Sequence, residues 1–135
     1  MPMDRMAGSV RGRVLLIDDE KAVLKETRMI LEYFGFDVIA AEGGAEALER
    51  FGQQSTGIEI VVLDLSMPVM GSSEVFRRIR ERRPDVPILL ASGYSASAVP
   101  PELAQQPRTG FLQKPYQASA LIGKIQELIG AGREA

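Results

Sequence analysis

Short apolar segments alternate with amphipathic segments along most of the chain. Five largely apolar runs have the length of buried strands. Near-continuous apolar runs of this kind are typical of parallel strands that are covered on both faces. The pattern predicts strands at residues 14–17, 36–40, 58–63, 87–91 and 110–113.

Apolar residues recur at helical spacing between the predicted strands. They predict a first helix ending at Phe34, where Gly35 suits the left-handed position behind a helix, and a second helix ending at Gly52. A third helix is predicted over residues 73–83, and the last helix has an apolar stripe formed by Leu121, Ile125, Leu128 and Ile129. Prolines between Tyr94 and residue 108 leave room for only a short fourth helix.

This alternation predicts an α/β fold: a doubly wound, five-stranded parallel sheet between two layers of helices. The strand order we expect is 2-1-3-4-5, in which the order reverses between the first and third strands. We expect one domain over residues 13–130, a disordered leader or linker at 1–12 and a tail at 131–135.

Composition excludes several kinds of chemistry. The 135 residues include no cysteine and no histidine, so disulfides, thiolate metal sites and imidazole catalysis are absent. The net charge of -2 does not favour nucleic acid, and the arginines at 77–83 are expected to spread over a solvated helix face. Since neither a signal peptide nor a membrane-spanning run is found, we expect no membrane insertion and a cytoplasmic location.

Carboxylates follow two of the predicted strands. Asp18 and Asp19 come directly after the first strand, and Asp64 follows the third. Because those strands are neighbours in the predicted order, we expect the three side chains to converge at one edge of the sheet. Three close carboxylates favour a bound hard cation, for which Mg²⁺ (or Mn²⁺) is suited. The alternative is that Asp18 and Asp19 only cap the first helix.

Two more polar side chains stand at strand ends. Ser92 follows the fourth strand, and Lys114 follows the fifth. Taken singly, a serine there is usually a helix cap and a lysine a solvated charge. Because Ser92 and Lys114 stand at strand ends, as the carboxylates do, they indicate one composite site in which a hydroxyl and a cation face the acidic side chains.

These residues resemble the receiver domains of response regulators. The resemblance rests on Asp18-Asp19, Asp64 with Met67-Pro68, Ser92 and Lys114-Pro115, in the family's order and at similar spacing over residues 13–130. It implies a flavodoxin-like (CheY-like) fold. It also implies a phosphorelay function, in which the chain takes a phosphoryl group from a phosphohistidine and shifts to an active conformation.

The resemblance also implies a role for each site residue. Asp64 would be the phosphoacceptor, and Asp19, Asp64 and the main-chain carbonyl of Ser66 would bind Mg²⁺, with Asp18 helping directly or through water. Ser92 and Lys114 would contact the phosphoryl group.

Further roles follow from the same resemblance. Ser92 and the strand-five aromatic Phe111 would form the conformational switch, although Phe111 is equally explained as core packing. Ser66 and Tyr94 would influence the lifetime of the phosphoryl group, and the Lys114–Pro115 bond would be cis. One departure is Gly71-Ser72, where most members have an acidic or polar residue and then glycine, so we expect Ser72 to strain or reshape that loop.

The implied partner is a sensor histidine kinase or a histidine phosphotransfer protein, and we expect a monomer or weak homodimer. The segment 91–94 is similar to receivers attached to hybrid histidine kinases.

One alternative is a pseudo-receiver that only docks partners. A phosphohydrolase with an aspartate nucleophile is less favoured, because Asp64-Leu65-Ser66 lacks the second aspartate that would act as general acid. A flavin-binding version of the fold is less favoured still, because no glycine-rich or serine/threonine-rich phosphate loop follows the first strand.

Overall fold

The computed structural model of the chain describes residues 11–67 and 71–134. In this part of the chain five parallel strands form one sheet: β1 (Arg13–Ile17), β2 (Asp37–Ala41), β3 (Ile60–Asp64), β4 (Ile88–Ser92) and β5 (Thr109–Gln113). The strand order is β2-β1-β3-β4-β5. The predicted doubly wound sheet and its order are confirmed.

Helices connect the strands. They are α1 (Lys21–Tyr33), α2 (Gly44–Gln54), α3 (Ser72–Arg82), α4 (Pro101–Ala104) and α5 (Ala118–Glu134), with short 3-10 turns at Ser55–Gly57 and Ala96–Ala98. The predicted fourth helix is present but has only four residues, with Pro101 in its first turn. α5 continues to Glu134, past residue 130 where the sequence analysis placed the end of the domain.

Gly35 ends α1 and turns the chain toward β2. Gly35 has a φ of 97°, as predicted, and the amide of Phe36 donates to the carbonyl of Leu31 at 3.0 Å. Only glycine adopts this backbone conformation without steric cost. The amide of Arg11 donates to the carbonyl of Gly35, and that of Asp37 to the carbonyl of Gly12. Residues 11 and 12, expected in the leader, therefore belong to the fold, whereas residues 1–10 lie outside the described part.

The sheet buries apolar side chains on both faces. Alternate strand residues such as Leu15 and Leu63 pack against α2 and α3, while Val14 and Val62 pack against α1 and α5. This is the arrangement that continuous apolar runs predict, because both faces of each strand are covered. Within the described residues, no helix has the length and apolarity needed to cross a bilayer.

Candidate functional site

The acidic side chains predicted to converge lie together at the carboxyl edge of the sheet. Ile17 is paired with Leu63, so Asp18 and Asp64 follow at neighbouring strand ends. One carboxylate oxygen from each of Asp18, Asp19 and Asp64 lies within 4.8 Å of the others. Asp18 and Asp64 are buried, at 4% and 1% exposure, whereas Asp19 is exposed. The cluster is thus open to solvent on the side of Asp19.

Asp18 is held by one main-chain and one side-chain donor. Its Oδ1 accepts a hydrogen bond from the amide of Glu20 at 3.0 Å, and its Oδ2 accepts one from Lys114 Nζ at 2.9 Å. Burial nevertheless raises the pKa of Asp18 above its ordinary value, and the charge of Asp64 adds to that effect. The protein donors therefore do not fully compensate the buried negative charge.

Lys114 connects the acidic pair from the end of β5. Its Nζ lies 2.9 Å from Asp18 Oδ2 and 3.1 Å from Asp64 Oδ1. Burial alone would lower the pKa of Lys114, but hydrogen bonds and charge from the two carboxylates outweigh burial and raise it. The side chain is a fixed cation at the acidic cluster. The Lys114–Pro115 peptide bond is cis, as expected.

Asp64 receives contacts on both its side chain and its main chain. Ser66 Oγ lies 2.9 Å from each carboxylate oxygen, and the Ser66 amide lies 3.3 Å from Oδ1. The hydroxyl of Ser72, the first residue of α3, donates to the Asp64 carbonyl at 2.7 Å. Ser72 does not adopt a positive φ, which glycine would favour. The expectation that it strains or reshapes the loop falls mainly on residues that the structure does not describe. Residues 68–70, which include the Pro68 of the motif, lie outside the described part.

Ser92 stands at the same edge, whereas Phe111 lies in the middle of β5, where it is paired with Leu90. Ser92 is buried at the end of β4, and its Oγ accepts a hydrogen bond from the Tyr94 amide at 3.0 Å. The Tyr94 side chain is 70% exposed. Phe111 is half-buried, packs against the core cluster on the α2 and α3 face, and lines a cavity of about 90 Å³.

The sequence did not predict a hydrogen bond between Thr27 and Tyr116. The hydroxyls of Thr27 in α1 and Tyr116 lie 3.1 Å apart, and burial raises the pKa of Tyr116. This bond ties the segment after Lys114-Pro115 to α1. Thr27 gave a usable signal, because a polar residue on an apolar helix face requires a hydrogen-bond partner when it is buried.

The donor set suits a hard divalent cation. Three carboxylates supply oxygen ligands, which Mg²⁺ prefers, and their mutual repulsion is relieved by positive charge. The exposed Asp19 gives an ion access from solvent. The residues present therefore fit Mg²⁺ on their chemistry alone.

Comparisons with known proteins identify the family of the chain. The family model described as the response regulator receiver domain matches residues 14–126. The chain is 34% identical to the sensor kinase CckA of Brucella abortus over 86% of this chain and 12% of that protein. It is 30% identical to the transcriptional regulatory protein TrcR of Mycobacterium tuberculosis over 87% of this chain and 45% of that protein. The chain thus spans less than half the length of these two relatives.

Solved structures show the same architecture. A response regulator receiver protein from Sinorhizobium medicae superposes with a TM-score of 0.77 at 31% identity, covering 90% of this chain and 96% of that one. A receiver domain from Clostridium thermocellum gives a TM-score of 0.82 at 26% identity, with 90% and 97% coverage.

Proposed function

Because this chain belongs to the response-regulator receiver domain family, we propose that Asp64 accepts a phosphoryl group from a phosphohistidine of a sensor histidine kinase or phosphotransfer protein. The observation that carries the proposal is the position of the Asp64 carboxylate. It ends a buried strand beside two further carboxylates and lies 3.1 Å from Lys114 Nζ. The donor histidine must come from the partner, since the chain has none.

In the proposed reaction an oxygen of Asp64 attacks phosphorus, a P–O bond forms and the P–N bond of the phosphohistidine breaks. Lys114 would move from its carboxylate partners to the incoming phosphoryl oxygens. Asp19, Asp64 and the carbonyl of Ser66 would hold Mg²⁺, with Asp18 helping directly or through water. When bound, Mg²⁺ neutralises charge on the phosphoryl oxygens.

Ser92 and Phe111 are proposed to transmit the change. The Ser92 hydroxyl would turn toward the phosphoryl group, and the half-buried Phe111 ring would move inward. Phosphorylation would then shift a pre-existing equilibrium through contacts that differ between the two conformations. Ser66, which already donates to Asp64, and the exposed Tyr94 would affect how long the phosphoryl group survives.

The domain would act as a signalling module that promotes only its own phosphorylation and dephosphorylation. Its place would be the cytoplasm, as a monomer or weak homodimer. The 34% sequence identity to the sensor kinase CckA supports a receiver that is attached to, or phosphorylated by, a hybrid kinase.

Intact-mass spectrometry tests the proposal. The wild type is incubated with acetyl phosphate and Mg²⁺, in parallel with Asp64→Asn and a sample containing EDTA. The control is Asp85→Asn, which removes an exposed acid ahead of β4, away from the carboxyl edge of the sheet. We expect one labile phosphoryl adduct on the wild type and on Asp85→Asn only. An adduct that persists in Asp64→Asn would contradict the assignment, and no adduct in any sample would favour the docking module.

A further inference from the structure

Ser72 is a buried serine directly behind the proposed phosphoacceptor. Its side chain lies at the N-terminus of α3, the residue is 6% exposed, and its Oγ donates to the main-chain carbonyl of Asp64 at 2.7 Å. The adjacent Ser73 is exposed, so burial singles out Ser72.

The bond fixes one particular peptide unit. Between Asp64 and Leu65, the carbonyl accepts from Ser72, and the amide donates to the carbonyl of Ala91 at 2.9 Å. Both polar atoms of this peptide plane are thereby held, one by α3 and one by β4. The plane lies between the Asp64 carboxylate and the Ser66 carbonyl, which are the two groups of this segment assigned to the metal.

We propose that Ser72 is a positioning residue for Mg²⁺: it holds the Asp64–Leu65 peptide so that the Asp64 carboxylate and the Ser66 carbonyl are oriented before the ion binds. This inference rests on the proposed function. Groups that orient metal ligands reduce the reorganisation that binding requires. Ser72 acts through Asp64 and donates to its main chain, so its loss weakens metal binding without removing a ligand.

Calorimetric titration with Mg²⁺ tests the inference on wild type, Ser72→Ala, Ser72→Gly and the matched control Ser73→Ala. We expect Ser72→Ala and Ser72→Gly to bind Mg²⁺ roughly 3- to 10-fold more weakly, the effect of one lost hydrogen bond. Ser73→Ala should bind as the wild type does. Ser72→Gly removes the same hydroxyl by a second substitution, so the inference can still be tested if Ser72→Ala is destabilised.

The rate of phosphorylation by acetyl phosphate as a function of Mg²⁺ concentration gives a second readout. We expect half-saturation to move to higher Mg²⁺ in both Ser72 variants, while the rate at saturating Mg²⁺ stays near wild type. Unchanged Mg²⁺ affinity in both variants, or equal weakening in Ser73→Ala, would overturn the role of Ser72. A wild type that binds no Mg²⁺ would instead overturn the proposed function, and this inference with it.

Discussion

At the scale of single residues, Asp18 is subject to opposing influences. The Glu20 amide and Lys114 stabilise its charged form, but burial and the charge of Asp64 act against that form and prevail, so that its pKa is raised. A raised carboxyl pKa means that folding disfavours the ionised group relative to the unfolded chain. At neutral pH and without metal, Asp18 therefore costs the fold stability.

We predict that Asp18→Asn stabilises the metal-free protein by about 0.5–2 kcal/mol, as replacements at strained functional positions commonly do. The same change should weaken Mg²⁺ binding, because it removes a carboxylate from the cluster. Urea unfolding in EDTA, compared with Mg²⁺ titration, measures both effects, and Asp85→Asn serves as an exposed control. A lower urea midpoint for Asp18→Asn would show instead that losing the Lys114 hydrogen bond outweighs the relief of repulsion.

At the scale of elements, Arg80 fastens α3 to the segment that enters β5. Its guanidinium donates to the carbonyls of Val86 and Pro107 and to Thr109 Oγ1, and it lies 5.3 Å from the centre of the Phe76 ring. Burial lowers the pKa of Arg80. The planar guanidinium suits this role because several donors reach different acceptors at once.

Arg83, which is also partly buried, donates to the carbonyls of Ser55 and Ile58. The predicted solvated face therefore holds for Arg77, Arg78 and Arg82 but not for Arg80 and Arg83.

We predict that Arg80→Met lowers the free energy of unfolding by about 1–3 kcal/mol, since several hydrogen bonds are lost and the partly buried carbonyl of Val86 loses its guanidinium donor. Arg80→Lys should also destabilise the fold, because one ammonium cannot reach all of these acceptors. The control is Arg82→Met, on an exposed position of the same helix, for which a change within about 0.5 kcal/mol is expected. Equal urea midpoints for the Arg80 and Arg82 variants would refute this structural role of Arg80.

The sequence predicted most elements to within one or two residues, for a physical reason. Buried parallel strands are apolar on both faces, so runs such as 14–17 mark the strands directly. Boundaries were less accurate where burial continues beyond the hydrogen-bonded ladder: Ile58 is buried, yet β3 begins at Ile60. Arg11 and Gly12 gave no periodic signal because main-chain hydrogen bonds hold them in place.

At the scale of the whole molecule, the acidic cluster was predictable because it depends on topology. Strand order alone brings Asp18 and Asp64 to one edge, although they are far apart in sequence. The sequence could indicate that Thr27 needs a hydrogen-bond partner, but it could not identify Tyr116 as that partner or predict the Ser72 contact. Both contacts depend on how a loop and a helix approach the strand ends. The fold therefore determines which residues meet, while local backbone geometry determines how each is supported.

Phe111, the proposed switch residue, lies in the middle of β5 and is paired with Leu90 of β4. It is half-buried beside a cavity of about 90 Å³ that Leu90, Val99 and Ala104 also line, so an inward movement of the ring has space available. A smaller side chain would fill less of that space and favour the inward state less strongly. The coupling between phosphorylation and the α4 and β5 surface should then weaken, while Asp64 chemistry is left intact.

We predict that Phe111→Leu is phosphorylated by acetyl phosphate at close to the wild-type rate but shows smaller amide shift changes in α4 and β5 on phosphorylation. The substitution should cost about 1 kcal/mol or less in stability, since a half-buried aromatic is exchanged for another apolar residue. Amide NMR spectra of both proteins before and after phosphorylation measure the response. Phe34→Leu is the control, because Phe34 is also half-buried but packs on the other face of the sheet. Shift changes in Phe111→Leu as large as those of the wild type would mean that Phe111 serves only as core packing and that the response spreads by another route.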